Sequence, residues 1–183
     1  MRAVVTLLTL LLTALPATAR PWIVEPTASR LEVGFSQGSS TVTARFERFE
    51  ARIEFDPDAL DRSSVEVDVD LASFASGDPT RDGQAVSSEF LDVATSPVAT
   101  YRAKGFRALG GDRYAVEGDL TLRGVTRPVA HEAEIVIDGD RARARGTVPL
   151  ARTDFAVGTR QFATGDTVGL EVVVTFEIQA RAG

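Results

Sequence analysis

The chain has 183 residues, no cysteine and a single histidine, which leaves out disulfide scaffolds, thiolate metal sites and thiol chemistry. Its 20 basic residues stand against 26 acidic ones, a net charge of −6, with the signs interspersed. That mixture describes a solvated outer face and excludes a nucleic-acid-binding patch.

The first residues read as a secretory signal. Arg2 supplies a positive charge, and Val4 to Leu15 is an apolar run interrupted only by Thr6, Thr9 and Thr13. Ala17-Thr18-Ala19 follows as a small-x-small cleavage pattern. The run is shorter than the roughly 20 residues a membrane-crossing helix needs. Residues 1–19 are therefore read as a signal peptide, with the mature chain starting at Arg20 or Pro21. Residues 20–183 then form one domain, without repeats or linkers, large enough to bury a core without staples.

Period-two alternation dominates that domain. Leu31, Val33 and Phe35 form one set, Val42, Ala44 and Phe46 a second, and Phe49, Ala51, Ile53 and Phe55 a third. The parity slips between Phe46 and Phe49, which predicts a bend in one long strand. Asp56-Pro57-Asp58 stops that strand, and Val65, Val67, Val69 and Leu71 begin the next. Between Thr80 and Thr95 the pattern changes: Val86, Phe90 and Leu91 recur at about helical spacing, behind an Asp78-Pro79 entry and ahead of Pro97. A short helix is predicted there, lying over the sheet or plugging one end of a barrel.

Strands resume at Tyr101-Ala103. Gly118-Asp119-Leu120-Thr121-Leu122-Arg123-Gly124-Val125-Thr126-Arg127-Pro128-Val129 reads as a hairpin, with Gly124 in the turn and Pro128 opening the second arm. Val129, His131, Ala133, Ile135 and Ile137 continue that arm to a predicted turn at Asp138-Gly139. The next strand sets Ala142, Ala144, Gly146, Val148 and Leu150 against Arg141, Arg143 and Arg145. The last carries Val168, Leu170, Val172, Val174, Phe176 and Ile178 on one face. About eight strands with turns between them make a sandwich or closed barrel. The many small inward residues, among them Ala103, Gly118, Ala133, Ala142, Ala144 and Gly146, fit either a tapering packed core or an open lumen.

The 118–129 hairpin, with its glycine, leucine-threonine, glycine-valine-threonine and proline-valine pattern, resembles the YceI-like family. Val42-Thr43-Ala44-Arg45-Phe46 with Ile53-Glu54-Phe55-Asp56-Pro57 is similar to that family's bent first long strand. Arg81-Asp82, Ser88-Glu89-Phe90-Leu91-Asp92 and Ser96-Pro97 resemble its helical insertion, and Arg152-Thr153-Asp154-Phe155 the motif before its last strand. The resemblance runs from Trp22 to Ile178. It implies an all-β fold with a short helical insertion: an eight-stranded antiparallel lipocalin-like barrel with an elongated apolar cavity. It also implies periplasmic binding, storage or transport of an amphiphilic lipid, a polyisoprenoid chain or isoprenoid-quinone-like ligand, with transient contact with a membrane or membrane protein. Gln37 stands where family members often carry histidine, and Ala44 and Ala51 where they usually carry glycine.

Phe35, Phe46, Leu71, Phe74, Tyr101, Leu120, Leu122, Phe155 and Phe162 are the apolar positions expected to line such a cavity, where any one of them could equally be ordinary core. His131 shares their face, and a buried imidazole needs a partner: a neighbouring backbone or hydroxyl group, or a ligand head group. One histidine without cysteine implies no metal site, and no cofactor is implied. Asp154 beside Arg152 and Arg160 reads as either a polar rim for a head group or a surface ion pair. Asp78, Arg81 and Asp82 read as capping and turn residues. No Gly-x-Ser-x-Gly elbow or phosphate loop is present, so the chain is read as non-enzymatic. The alternatives are a structural or interaction barrel filled by its own side chains, and a lipid ester hydrolase that uses His131.

Overall fold

A computed structural model describes residues 19–183, and the predicted signal peptide lies almost wholly outside the described residues. The strands are β1 (Pro21–Val24), β2 (Arg30–Gln37), β3 (Ser40–Phe46), β4 (Phe49–Glu54), β5 (Ser64–Asp70), β6 (Phe74–Ala75), β7 (Val98–Gly110), β8 (Arg113–Leu122), β9 (Val125–Asp138), β10 (Arg141–Ala151) and β11 (Val168–Ala182). They form one antiparallel sheet in the order β1-β4-β5-β7-β8-β9-β10-β11, closed by pairing of β11 with β1. β2, β3 and β6 prolong β1, β4 and β5 as bent halves of the same staves. The result is a closed barrel of eight staves.

The predicted bend falls at Glu47-Arg48. The amides that leave the ladder there are recaptured: Glu47 N–H donates to the Ser73 carbonyl at 3.1 Å and Arg48 N–H to Ser73 Oγ at 3.0 Å. Ser73 sits in the matching bend between β5 and β6 and is buried. Two kinks therefore nest and satisfy one another, as buried backbone donors must be. The break between β1 and β2, at Pro26-Thr27-Ala28, is spanned by β11, whose Gln179 carbonyl accepts from Glu25 N–H at 2.8 Å.

The hairpin between β8 and β9 is tighter than its sequence suggests. Leu122 pairs with Val125, so Arg123 and Gly124 alone form the loop, both in the left-handed region (φ 53° and 73°), as a type I′ turn requires. Pro128 does not open the arm but sits inside β9 opposite Asp119. It lies past the end of the β9–β10 ladder, which stops at Ala133–Gly146, so on that flank its missing donor costs no pairing. The later turn also shifts by one residue: Asp138 pairs with Arg141, leaving Gly139 and Asp140 as the loop, with Gly139 at φ 62°.

The helix α1 spans only Pro79–Ala85. Its predicted start holds: the Asp78 carboxylate accepts from Thr80 N–H at 2.9 Å and Arg81 N–H at 3.2 Å. Its predicted continuation to Thr95 does not. Beyond Ala85 the chain winds through turns, closed by Leu91 N–H to the Ala85 carbonyl (2.9 Å) and Asp92 N–H to the Ser87 carbonyl (2.8 Å). The helical spacing of Val86, Phe90 and Leu91 thus comes from turns that fold back onto the barrel.

Two apolar clusters fill the interior. The one at the end where Pro21 meets Gly183 centres on Trp22, Phe55, Tyr114, Val116, Ala133 and Ala180. Phe55 packs edge-on against Tyr114 and Phe106, and Trp22 Nε1–H donates to the Phe55 carbonyl at 3.0 Å, closing that end. The other, of Val33, Ala44 and Phe74, meets Ala85 and Leu91 from the helical insertion.

Candidate functional site

The barrel encloses a cavity of about 360 Å³. Its lining runs from Trp22 and Phe55, at the end where Pro21 meets Gly183, to the polar side chains of Gln37, Arg81 and Gln84 beside the helical insertion, which we take as its mouth. Phe35, Phe46, Leu71, Phe74, Tyr101, Leu120, Leu122, His131 and Phe155 border it. Phe162 does not. It packs against Phe90, which does, at a ring separation of 4.9 Å, and so backs the wall from behind. Ala51 borders the cavity, whereas Ala44 is core, packed with Val33 and Phe74.

The small inward residues divide by what lies over them. A Cβ at Gly118 would stand 2.7 Å from Tyr101 Oη and 2.5 Å from the Arg102 carbonyl. One at Gly146 would stand 2.7 Å from Cζ of Phe176. These two glycines are therefore seats for aromatic rings and do not widen the lumen. The rings they seat flank His131: Tyr101 at a centroid distance of 5.8 Å and Phe176, edge-on, at 5.6 Å.

His131 is satisfied within the wall. Its Nδ1 lies 3.2 Å from the Glu132 carbonyl and its Nε2 3.2 Å from Tyr101 Oη. The carbonyl can only accept, so Nδ1 carries the proton and the Tyr101 hydroxyl donates to Nε2. Burial holds the imidazole below its ordinary pKa, against a smaller opposing effect of the Glu132 carbonyl. Burial, assisted by the charge of Asp119, pushes the Tyr101 phenol up to about 12. The pair is neutral at neutral pH and sits part-way down an apolar wall.

Arg152 overturns the polar rim as a reading. It is only 4% exposed and turns inward, away from Asp154. Its Nε donates to the Gly169 carbonyl, Nη1 to those of Val157 and Gly158, and Nη2 to those of Phe162 and Val168. All five guanidinium hydrogens are spent on the loop that joins β10 to β11 and on the first two residues of β11. Burial lowers the guanidinium's pKa, with Glu89 acting in the opposite direction. Asp154 and Arg160 are exposed, and neither makes an ion pair among the described residues.

The mouth is built from the helical insertion. Asp78 caps α1, and Asp82 accepts from Ser76 N–H and Oγ–H at 2.8 and 2.6 Å, as turn residues do. Arg81 has a different place: its Nε donates to Gln37 Oε1 at 2.9 Å across the cavity entrance, where Gln84 also lies. Arg123, from the β8–β9 turn, donates to the Ser88 and Phe90 carbonyls, and Gly158 N–H donates to the Glu89 carbonyl at 2.8 Å. Alternation along strands does not reveal Phe90, Arg81 or Gln84 as cavity residues, because tertiary folding of the insertion puts them there.

Fold and site together define a small up-and-down antiparallel barrel of the lipocalin-like kind, with an apolar interior and a helical insertion at one end. The chain belongs to the YceI-like family, whose YceI-like domain profile matches residues 22–180. It is 30% identical over 150 residues to a UPF0312 protein of Vibrio cholerae, covering 77% of this chain and 79% of that protein. With a UPF0312 protein of Azotobacter vinelandii it shares 31% over 156 residues, 80% of this chain and 81% of the relative. Among solved structures it is similar to Burkholderia cenocepacia BcnA, with a TM-score of 0.83 and 27% identity over 86% of this chain and 99% of that one. It also shares its fold with a polyisoprenoid binding domain from Saccharophagus degradans implicated in plant cell wall breakdown (TM-score 0.72, 19% identity, 90% of this chain and 99% of that one).

Proposed function

We propose that this protein is an exported, periplasmic carrier or store for an amphiphilic lipid, a polyisoprenoid chain held lengthwise in the barrel. The observation that carries the reading is the elongated cavity, walled by aliphatic and aromatic side chains and open at a polar mouth. Each methylene moved from water to such a wall contributes about 0.8 kcal/mol, so a long tail needs few polar anchors. The polyisoprenoid-binding function of the Saccharophagus degradans domain, which has the same fold, favours a prenyl tail over other apolar chains. His131 is engaged on both ring nitrogens and no carboxylate orients it, which supports binding over ester hydrolysis. Loading and release call for transient contact between the mouth and a membrane or membrane protein.

The test is to express the full chain with its leader, recover it from the periplasmic fraction, and weigh it natively and after denaturation. The native mass is expected to exceed the chain by one lipid, removable with organic solvent. The denatured mass is expected to match a chain starting at Arg20, whose carbonyl accepts from Phe55 N–H at 2.9 Å and whose guanidinium lies 4.9 Å over the Trp22 ring. Protein that carries no extractable lipid, and takes up no fluorescent prenyl probe, would sink the reading.

A further inference from the structure

The chain has 26 acidic residues, yet none of them borders the cavity. Two guanidiniums do, Arg81 and Arg152. Arg152 contributes charge alone, since its hydrogens are all committed to carbonyls and no carboxylate stands within ion-pair distance among the described residues. Arg81 contributes donors as well. Its Nε is bonded to Gln37 and one Nη1 hydrogen to Ser76 Oγ at 3.2 Å, while its Nη2 stands 3.9 Å from the Asp78 carboxylate, beyond hydrogen-bond reach. The Arg81 side chain is 26% exposed and borders the cavity beside Gln37 and Gln84. Because Gln37 Oε1 accepts from Arg81, the Gln37 amide N–H₂ remains a donor beside the same guanidinium.

An apolar tube whose lining holds no carboxylate and ends in unspent guanidinium donors, with Asp78 and Glu89 as opposing charges outside that lining, is complementary to one kind of amphiphile. We infer that the head group of the bound lipid is an anionic oxyacid, a carboxylate or phosphate, received at the mouth by Arg81 and Gln37; this rests on the lipid-binding reading above. A planar guanidinium held by Gln37 on one edge can meet two oxygens with the other, and a charge-assisted bond of that kind is about twice as strong as a neutral one. A cationic head group is disfavoured by the same field.

The test uses the delipidated mature protein and displacement of a fluorescent prenyl probe by farnesoate, farnesol and farnesylamine, which share one tail. Farnesoate is expected to bind about tenfold tighter than farnesol, and farnesylamine weakest. Arg81→Gln is expected to reduce the farnesoate-to-farnesol affinity ratio about tenfold, with circular dichroism and melting reporting that the barrel is intact. Arg81→Lys, which keeps the charge and loses the fork, is expected to leave an intermediate ratio and supplies the comparison if Arg81→Gln does not fold. A ratio near one in the unsubstituted protein, or an unchanged ratio in both variants, overturns the head-group assignment while leaving lipid binding standing. Binding of none of the three compounds overturns the lipid reading itself.

Discussion

At the scale of single residues, the interior is tuned by exchanges between glycine and aromatic rings on neighbouring strands. Gly118 makes room for Tyr101 and Gly146 for Phe176, and His131 sits between the two rings. Alternation in the sequence places all five on the inner face, but it cannot tell a glycine that opens a lumen from one that seats a ring. That depends on which neighbour's side chain leans across, a property of register. The seated histidine has a measurable consequence. Burial lowers its folded pKa below the ordinary 6.5, while the unfolded chain binds a proton at the ordinary value. Between those two values the unfolded state holds more protons, so stability is full above about pH 6.5 and declines as pH falls through that value toward the folded pKa. The paired carboxylates Asp70, Asp78 and Glu134 have lowered pKa values and unfolded values near 4, so their contribution is lost only further down. Thermal midpoints of the ligand-free protein are expected to drop between about pH 7 and pH 5, and His131→Gln to flatten that part of the curve. An equal slope in the variant would assign the loss to other groups.

At the scale of elements, the loop between β10 and β11 is organised around one buried side chain in place of a core of its own. Arg152 collects five carbonyls from Val157 to Gly169, satisfying backbone groups that the loop's irregular path strips of partners. Arg152→Met keeps the apolar stem and orphans those carbonyls. It is expected to cost about 3 kcal/mol, a fall of roughly 6–12 °C in the thermal midpoint for a domain this size. Arg152→Lys should recover only part of that, because a compact ammonium cannot reach carbonyls on three sides. A midpoint within a degree or two of the unsubstituted protein would refute the anchor role. The long staves β8 to β11 were legible because each carries a sustained alternating run. β7 showed only Tyr101-Ala103, because its parity slips at the irregularities after Ala103 and Ala108. A similar shift between Val168 and Val172 leaves Leu170 exposed at the start of β11. β1, with four residues, and β6, with two, are too short to show a period and exist because β11 and β3 pair with them. The same holds for the site. Residues on staves could be read from parity, whereas Arg81, Gln84 and Phe90 come from an insertion whose turns no periodicity describes.

At the scale of the whole molecule, the barrel has a rigid end and a loose one. Aromatic packing around Phe55 and the contact of β1 with the C-terminal residue close one end, where Gly183 N–H donates to the Pro21 carbonyl at 3.0 Å. The other end is covered by the 76–97 insertion and the 156–167 loop, and there β9 and β10 carry no ladder pair beyond Ala133–Gly146. No strand ladder holds that cover. It is tied to the barrel by separate bonds, among them Arg123 to the Ser88 and Phe90 carbonyls, Arg81 to Gln37, Gly38 N–H to the Thr167 carbonyl and Leu71 N–H to the Pro97 carbonyl, with Arg152 gathering the 156–167 loop. Local opening free energies follow such differences in bonding, so the cover should open well below the cost of global unfolding. Such an asymmetry suits the proposed carrier role, in which a long chain would enter the end that opens while the rest of the barrel keeps its register. Amide exchange is therefore expected to be fast in residues 86–97 and 156–167 and slow in β7, β8 and β11, with a bound prenyl ligand slowing the first two segments selectively. Arg123→Ala removes one tether and should speed both their exchange and ligand release several-fold, with little change in the exchange of β11. Uniform protection along the chain, or ligand protection confined to the closed end, would place the entrance elsewhere.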